Sequence, residues 1–523
     1  SDVCSSDLNL LAAVIDNHLY RRRTPAPQLS TVAWRRAIDL CDRGLDHFET
    51  VVGVGTQAIR RRTGFDLTPA SEVMAILSLA RDFADLRQRL GRIYIGHTVT
   101  GEPVWAEQLH VAGAMTALLR DALRPNLVQT CEHTPALVHT GPFANIAHGN
   151  SSILADLIAT RLSDFVITES GFGSDCGAEK FYDIKCPASG QHPDAQVLVC
   201  SVRALKYHSG RFAVRAGRPL PSGLLVEDLD AVRAGGENLL AHLEILRQFG
   251  VPVVVAINRF AEDTPAELEL VRSLARDAGA EWIAISDAFT RGGAGAAELA
   301  ECVVAACHCE SHFRPLYAPS LSPLEKMEQL ARAIYGAAGV DMSPRARQQI
   351  ALAERMGLGN LPICVSKTPY SLSHNPRWLG RPRGFHFPIT ALHFATGAGY
   401  LYATSGRMRT MPGLPSDPAA SRIDVTVGNV VAGTVMALGD YADARGVLSL
   451  AALPEWEYAS AGTVLEVSLQ GNPLREALSH ATDGVLRVRL SVPAGPYAKG
   501  LNLYGAGRGG SPVPFTIQLN GGR

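Results

Sequence analysis

The sequence predicts an α/β fold, a mostly parallel and helix-covered sheet, followed by a small antiparallel β domain. Three observations carry the prediction. Short, continuously apolar runs bounded by turn residues recur through roughly the first 430 residues, as buried parallel strands require. Segments of helical period lie between these runs, the order of elements that covers the faces of a parallel sheet. From about Gly433 charges thin out and glycine becomes frequent, and Leu486, Arg487, Val488, Arg489 and Leu490 alternate as a half-buried antiparallel strand does.

The elements follow in chain order. Leu10, Leu11, Ala13 and Val14 give residues 9–17 one apolar helical face, and residues 74–90 repeat the pattern with charges over 81–92. Short apolar runs at 93–95, 165–168, 197–202, 251–258 and 282–285 read as strands. Helices are predicted between or after them at 153–162, 238–249, 265–278 and 297–306. In the last ninety or so residues, 485–492 and 514–519 read as strands of the antiparallel unit.

Composition narrows the function. A chain of 523 residues has a prior of about three or four domains. Apolar residues make up 46% and charged residues 19%, which is enough to build a real core. Lys plus Arg number 49 against 50 Asp plus Glu, so no positive field favours nucleic acid or an anionic membrane. No run approaches the roughly 18 apolar residues of a spanning helix, and the N-terminus lacks a signal-peptide layout. A cytoplasmic protein is expected. The ten cysteines are scattered and are expected as free thiols. Cys302, Cys307, His308 and Cys309 have no second Cys/His pair at zinc spacing, so no metal site is expected. Residues 1–8 show no periodicity and look like a translated sequencing adapter, hence a non-native leader; a plain disordered terminus is the alternative.

The segments that bear chemistry lie between 141 and 414. "GPFANIAHG", 141–149, runs into the 153–162 helix, either as an anion site at a helix N-terminus or as an ordinary cap. Gly171, Gly173 and Gly177 follow the 165–168 run, but the third glycine comes one residue late for a dinucleotide fingerprint. A hydride-transferring Rossmann enzyme is therefore disfavoured. In "VCSVRALKYHSG", 199–210, a strand ends and places Arg203, Lys206 and His208 in a loop. Ligands of open α/β sheets collect at such strand ends, so the three suit a phosphate or carboxylate substrate and are the candidate catalytic residues; a solvated basic loop is the plain alternative. "VPVVVAINRF" ends a buried strand in Asn258, at the same edge.

Taken in order, "NLLAAVIDNH", "GFDLTPASEVMAI", "GPFANIAHG", "ESGFGSDCGAEKFYDIKC", "VRALKYH", "FGVPVVVAINRF", "EKMEQLARAIYGA", "KTPYSLS" and "RTMPGLP" resemble the formate–tetrahydrofolate ligase family over about 9–433. The resemblance implies ATP-dependent ligation of formate to tetrahydrofolate through formyl phosphate, giving 10-formyltetrahydrofolate, ADP and phosphate. It implies Mg-ATP and tetrahydrofolate as bound substrates, and it allows a monovalent cation and a homo-oligomer. Carried onto this sequence, Thr410, Pro412, Gly413 and Leu414 fall on an adenine-side loop, and Asn258 and Phe260 on a nucleotide-facing strand end. Phe289 and Tyr317 fall near the pair of aromatics that sandwich the pterin.

The sequence also departs from the family. Cys200, Ser201 and Ser209 replace the usual Ala, Thr and Gly. A GEGKT-type phosphate loop, a "KGGAAGGGY" stretch and a "TGD" loop are expected before Asn9 and do not occur, and no Gly-x-x-x-x-Gly-Lys-Ser/Thr pattern is found anywhere. The expected fold is thus of P-loop-like type without its first βα unit. The organisation then reads as a leader, 1–8; a nucleotide- and formate-binding region incomplete at its N-terminus, 9–260; a folate- and adenine-binding region, 261–431; and a β-rich extension of unexplained origin, 432–523. The expected protein is inactive as it stands, with a non-catalytic nucleotide- or folate-binding module as the alternative.

Overall fold

In a computed structural model, the structure describes residues 2–422 apart from 22–26, 54, 56–57, 131, 215–218, 407–409 and 416–417, and beyond 422 four three-residue strands. The chain divides into two compact units, Ser1–Gly413 and Leu414–Arg523.

The first helix runs over Asp2–Arg21, so it begins seven residues before the predicted 9–17. Cys4, Leu8, Leu11, Ala12 and Ile15 form its buried stripe, and positions 4 and 8 continue the period that starts the predicted helix. The stripe enters a core with Trp34, Leu77, Leu90, Ile95 and Met115. The helix predicted over 74–90 is two helices, Glu72–Leu79 and Phe83–Gly91. Ala80 is extended, and the Asp82 carboxylate accepts from the Asp85 N–H at 2.8 Å, which starts the second helix afresh.

The sheet that positions the candidate site is parallel. Strands Gln196–Cys200, Val253–Asn258 and Trp282–Ser286 run side by side in register, Val197 beside Val254 and Val254 beside Trp282. The central strand is buried up to Ile257. Helix Leu229–Arg247 starts nine residues before the prediction because Gly235 and Gly236 concealed its first half. Gly235 is there for close approach: a Cβ would lie 1.7 Å from the Leu205 carbonyl oxygen. Helix Pro265–Asp277 opens with a Thr264/Glu267 capping box.

Three sequence expectations are corrected. Residues 203–208 are not a loop: Ser201 caps a helix over Val202–His208 by accepting from the Ala204 N–H at 3.3 Å. Residues 165–168 make no strand ladder; Phe165 is 55% and Ile167 93% exposed, because no neighbouring strand covers this apolar run among the described residues. The single mostly parallel sheet is instead several small sheets, although the α/β class holds. Gly339–Met342 pairs in parallel with His386–Ile389, and Ile363–Ser366 with Tyr400–Thr404, which also takes Ala391–Ala395 antiparallel. These sheets share one core, in which Val255, Ile257, Ile363, Val365, Phe387 and Leu401 meet. That core runs across the 260/261 boundary drawn from the sequence.

In the second unit, Leu448–Leu450 pairs antiparallel with Leu501–Leu503, and Leu465–Val467 with Leu486–Val488. The predicted strand at 514–519 and the segment 423–431 lie outside the described residues. No helix among the described residues is long and apolar enough to cross a membrane. The nine described cysteines are free.

Candidate active site

The carboxyl ends of the three parallel strands deliver Ser201, Asn258 and Ser286 to one edge. Asn258 pairs with Ser286, and the Arg259 N–H donates to the Ser286 carbonyl at 3.0 Å, so the two strand ends stay together through the turn. The next residues form a tight clasp: the Phe260 N–H donates to the Asp263 carboxylate at 2.8 Å. Burial pushes the Asp263 carboxyl up, helped by Glu267 and opposed by Arg203 and Lys206. Arg203, the second residue of its helix, lays its guanidinium 4.0 Å from the centre of the Phe260 ring and donates to the Glu262 carboxylate at 3.0 Å.

The three residues read from sequence as one cationic cluster part company on the helix. Arg203 faces the strand-end clasp. Lys206 is only 1% exposed; its ammonium pairs with the fully buried Glu267 at 2.5 Å and donates to the Val226 carbonyl at 2.7 Å. Burial alone would raise the Glu267 carboxyl, but the bonds from Lys206, Asp228 and Thr264 hold it down. His208 accepts from the Gly380 N–H at 3.2 Å through Nδ1. Burial, with His242 nearby, pushes its imidazole down to about 4, so at neutral pH it is uncharged.

Phe289 is 90% exposed on the short helix Ala288–Arg291 just past the third strand. Tyr317 is 7% exposed in the core, where its hydroxyl accepts from the Ile363 N–H at 3.0 Å. No ring contact joins the two among the described residues. The Thr410 hydroxyl donates to Asp66 at 2.6 Å, and its carbonyl accepts from the Leu67 N–H at 2.9 Å. Pro412 is half-buried, and a Cβ on Gly413 would strike the Arg43 side chain, so the backbone there lies directly on that arginine. The described contacts tie this loop to Phe65–Leu67 and Arg43, not to Asn258 or Phe260. Leu414 opens the second unit, 48% exposed.

The 141–149 segment resolves to the ordinary cap. The hydroxyl of Ser152 accepts from the Ala155 N–H at 2.9 Å and meets His139 Nδ1 at 2.6 Å, which gives the helix a side-chain cap of its own.

Sequence reasoning missed a buried ionic knot behind this edge. Residues 171–185 hold two turns of π-helix, Ser174–Ala178 and Phe181–Lys185, a form that recurs at functional sites. Asp175 pairs at 2.5 Å with Lys367, whose ammonium also donates to the Thr368 and Ser371 carbonyls at 3.0 and 2.5 Å. Ser174 Oγ meets His242 Nδ1 at 2.6 Å. Burial pushes Asp175 up, yet Lys367 and His242 outweigh it and hold the carboxyl below its ordinary range. Two turns on, buried Asp183 is pushed up to about 7, and Glu179, between it and Asp175, well above its usual value, by burial and, for Glu179, by the charge of Asp183. Periodicity cannot reveal such a knot, since Asp175 and Lys367 lie far apart in sequence; the only signal was that both sit in motifs, "GFGSDCGAEK" and "KTPYSLS". Among the described residues, no group of three His, Cys, Asp or Glu side chains converges closely enough to hold a metal ion by itself.

A parallel α/β layer whose strand ends gather an amide, a clasped aromatic ring and a guanidinium has the form in which open α/β sheets hold ligands at their carboxyl edge. The chain belongs to the formate–tetrahydrofolate ligase family, whose model matches residues 2–435. It is 54% identical over 419 residues to the formate–tetrahydrofolate ligase of Roseiflexus sp. (strain RS-1), covering 80% of this chain and 74% of that one. It is 52% identical over 417 residues to that of Roseiflexus castenholzii, and 50% identical over 417 residues to that of Saccharopolyspora erythraea, with the same shares covered.

Proposed function

We propose that this protein serves the ATP-dependent ligation of formate to tetrahydrofolate, and that the carboxyl edge of the three parallel strands receives its flat heterocyclic substrates. The family match over residues 2–435, which includes all three strand ends, carries this reading. In the reaction a formate oxygen attacks the γ-phosphorus of ATP, ADP leaves, and formyl phosphate forms. N10 of the folate then attacks the formyl carbon, the bond to phosphate breaks, and N10 loses its proton. Asn258 offers an amide at the edge, Phe260 and the exposed Phe289 offer ring faces for stacking, and the 410–413 backbone offers close approach to adenine. Magnesium would come to the chain on the nucleotide's phosphates. Tyr317, the other aromatic of the pair, is buried and accepts from the Ile363 N–H, so its part in holding the pterin is the weaker of the two.

The 523 residues hold no phosphate-cradling glycine–lysine loop, the part whose amides and ammonium stabilise phosphoryl transfer. That lack favours a second statement: a polypeptide of these residues alone binds ligand without turning it over. The test supplies it with formate, tetrahydrofolate and Mg-ATP. The expected result is no 10-formyltetrahydrofolate above blank while tetrahydrofolate still binds; turnover at about 1 per second or more, an ordinary enzyme rate, would overturn it.

A further inference from the structure

We infer that Arg203 is a positioning residue that backs the Phe260 ring, so that the ring's opposite face receives an amino-substituted nitrogen heterocycle of the kind adenine and the reduced pterin share. This rests on the strand-edge reading above and deepens it. Three observations carry it.

The guanidinium lies 4.0 Å from the ring centre, within the range of a cation–π contact. It is held there from two sides, by its helix and by the Glu262 carboxylate at 3.0 Å. Its buried Nε–H has no oxygen acceptor among the described residues, as befits a guanidinium lying over a ring instead of chelating an anion. Phe260 itself is half-buried but packs on neither hydrophobic core, and no other aromatic ring touches it among the described residues. Its backbone is pinned by Asp263. An aromatic side chain fixed at a ligand edge, with a cation on one face and no core contact, has a face left for stacking.

The cation also sets the preference. It draws π density toward itself, which leaves the far face less negative and better suited to an electron-rich, amino-bearing heterocycle than a bare phenyl ring would be. Arg203 thereby acts through Phe260 and not on the reacting atoms.

The experiment titrates the whole 523-residue protein separately with ATP and with tetrahydrofolate, the two sources of the heterocycle, and records melting temperature alongside. Phe260→Ala is expected to weaken one of the two ligands by about tenfold. Arg203→Ala is expected to weaken the same ligand by about three- to fivefold and Arg203→Lys by less, with melting unchanged. Weakening by Phe260→Ala together with unchanged affinity in Arg203→Ala overturns the positioning role and leaves the strand-edge reading standing. Unchanged affinity in both variants overturns that reading as well. Should Arg203→Ala melt early, Glu262→Gln decides: it frees the guanidinium from outside the core, and unchanged affinity there overturns the role.

Discussion

Asp7 shows what one residue costs when its surroundings are wrong for it. Both carboxylate oxygens are buried without a partner, among Cys4, Leu8 and the rest of the first helix's apolar stripe. Burial pushes its carboxyl from 3.8 up to about 8. The folded state therefore holds a proton that the unfolded state gives up, so the stability this group contributes is full below about pH 4 and is lost as pH rises toward about 8. Each unit of that shift is worth about 1.4 kcal/mol. Asp7→Asn is expected to flatten part of the fall in melting temperature between pH 5 and 8, and Asp7→Leu to raise melting at pH 8 outright. The rest of the slope belongs to other raised carboxyls such as Glu72 and Asp183. An unchanged pH slope in Asp7→Asn would place this carboxyl in water. The same scale limits what sequence can say of the site. Lys206 and Arg203 are both cations of one short motif; whether each faces a ligand or Glu267 depends on where a helix begins, and Ser201 at the N-cap was the only written sign of it.

At the scale of elements, the sequence read well where period and caps agree and poorly where one of them is silent. Helix Pro265–Asp277 was legible because Thr264, Pro265 and Glu267 announce it and its apolar face follows. The break between Glu72–Leu79 and Phe83–Gly91 was not, since burial all round the first helix erases the period that would mark its end. The apolar run at 165–168 has strand composition, but composition cannot supply a neighbour. The same holds for strand Gln196–Cys200, whose outer edge pairs with no strand among the described residues and whose Val197 and Val199 are 41% and 64% exposed. Bare apolar edges template association. Ile167→Lys with Val199→Lys is therefore expected to reduce aggregation on light scattering with melting temperature kept, as charges at edges do. A lowered melting temperature would show these side chains to be packed.

For the whole molecule, the change in composition near residue 430 led the sequence reading to a boundary at 431/432, and the compact division falls at 413/414. The shift was read from glycine and charge, which report how a segment is built, whereas the division reflects where contacts thin out. A chain ending at Gly413 is expected to melt within about 2 °C of the full chain, since few contacts cross such a boundary, and to bind tetrahydrofolate equally. Loss of the folding transition would place the second unit within the core.

The pair between Asp175 and Lys367 has a consequence in time. Parallel strands and long-range pairings form late because loop closure precedes their reward, and a chain emerges from the ribosome N-terminus first. Asp175 leaves the tunnel long before Lys367, so through most of synthesis the π-helical segment carries a carboxylate whose ion-pair partner has not yet been made. Until Lys367 arrives, that segment cannot be sealed without leaving a charge unmatched in the interior. The interior around Asp175 is thus expected to close only after Lys367 has been made, and strands His386–Ile389 and Tyr400–Thr404, which complete the same core, follow it.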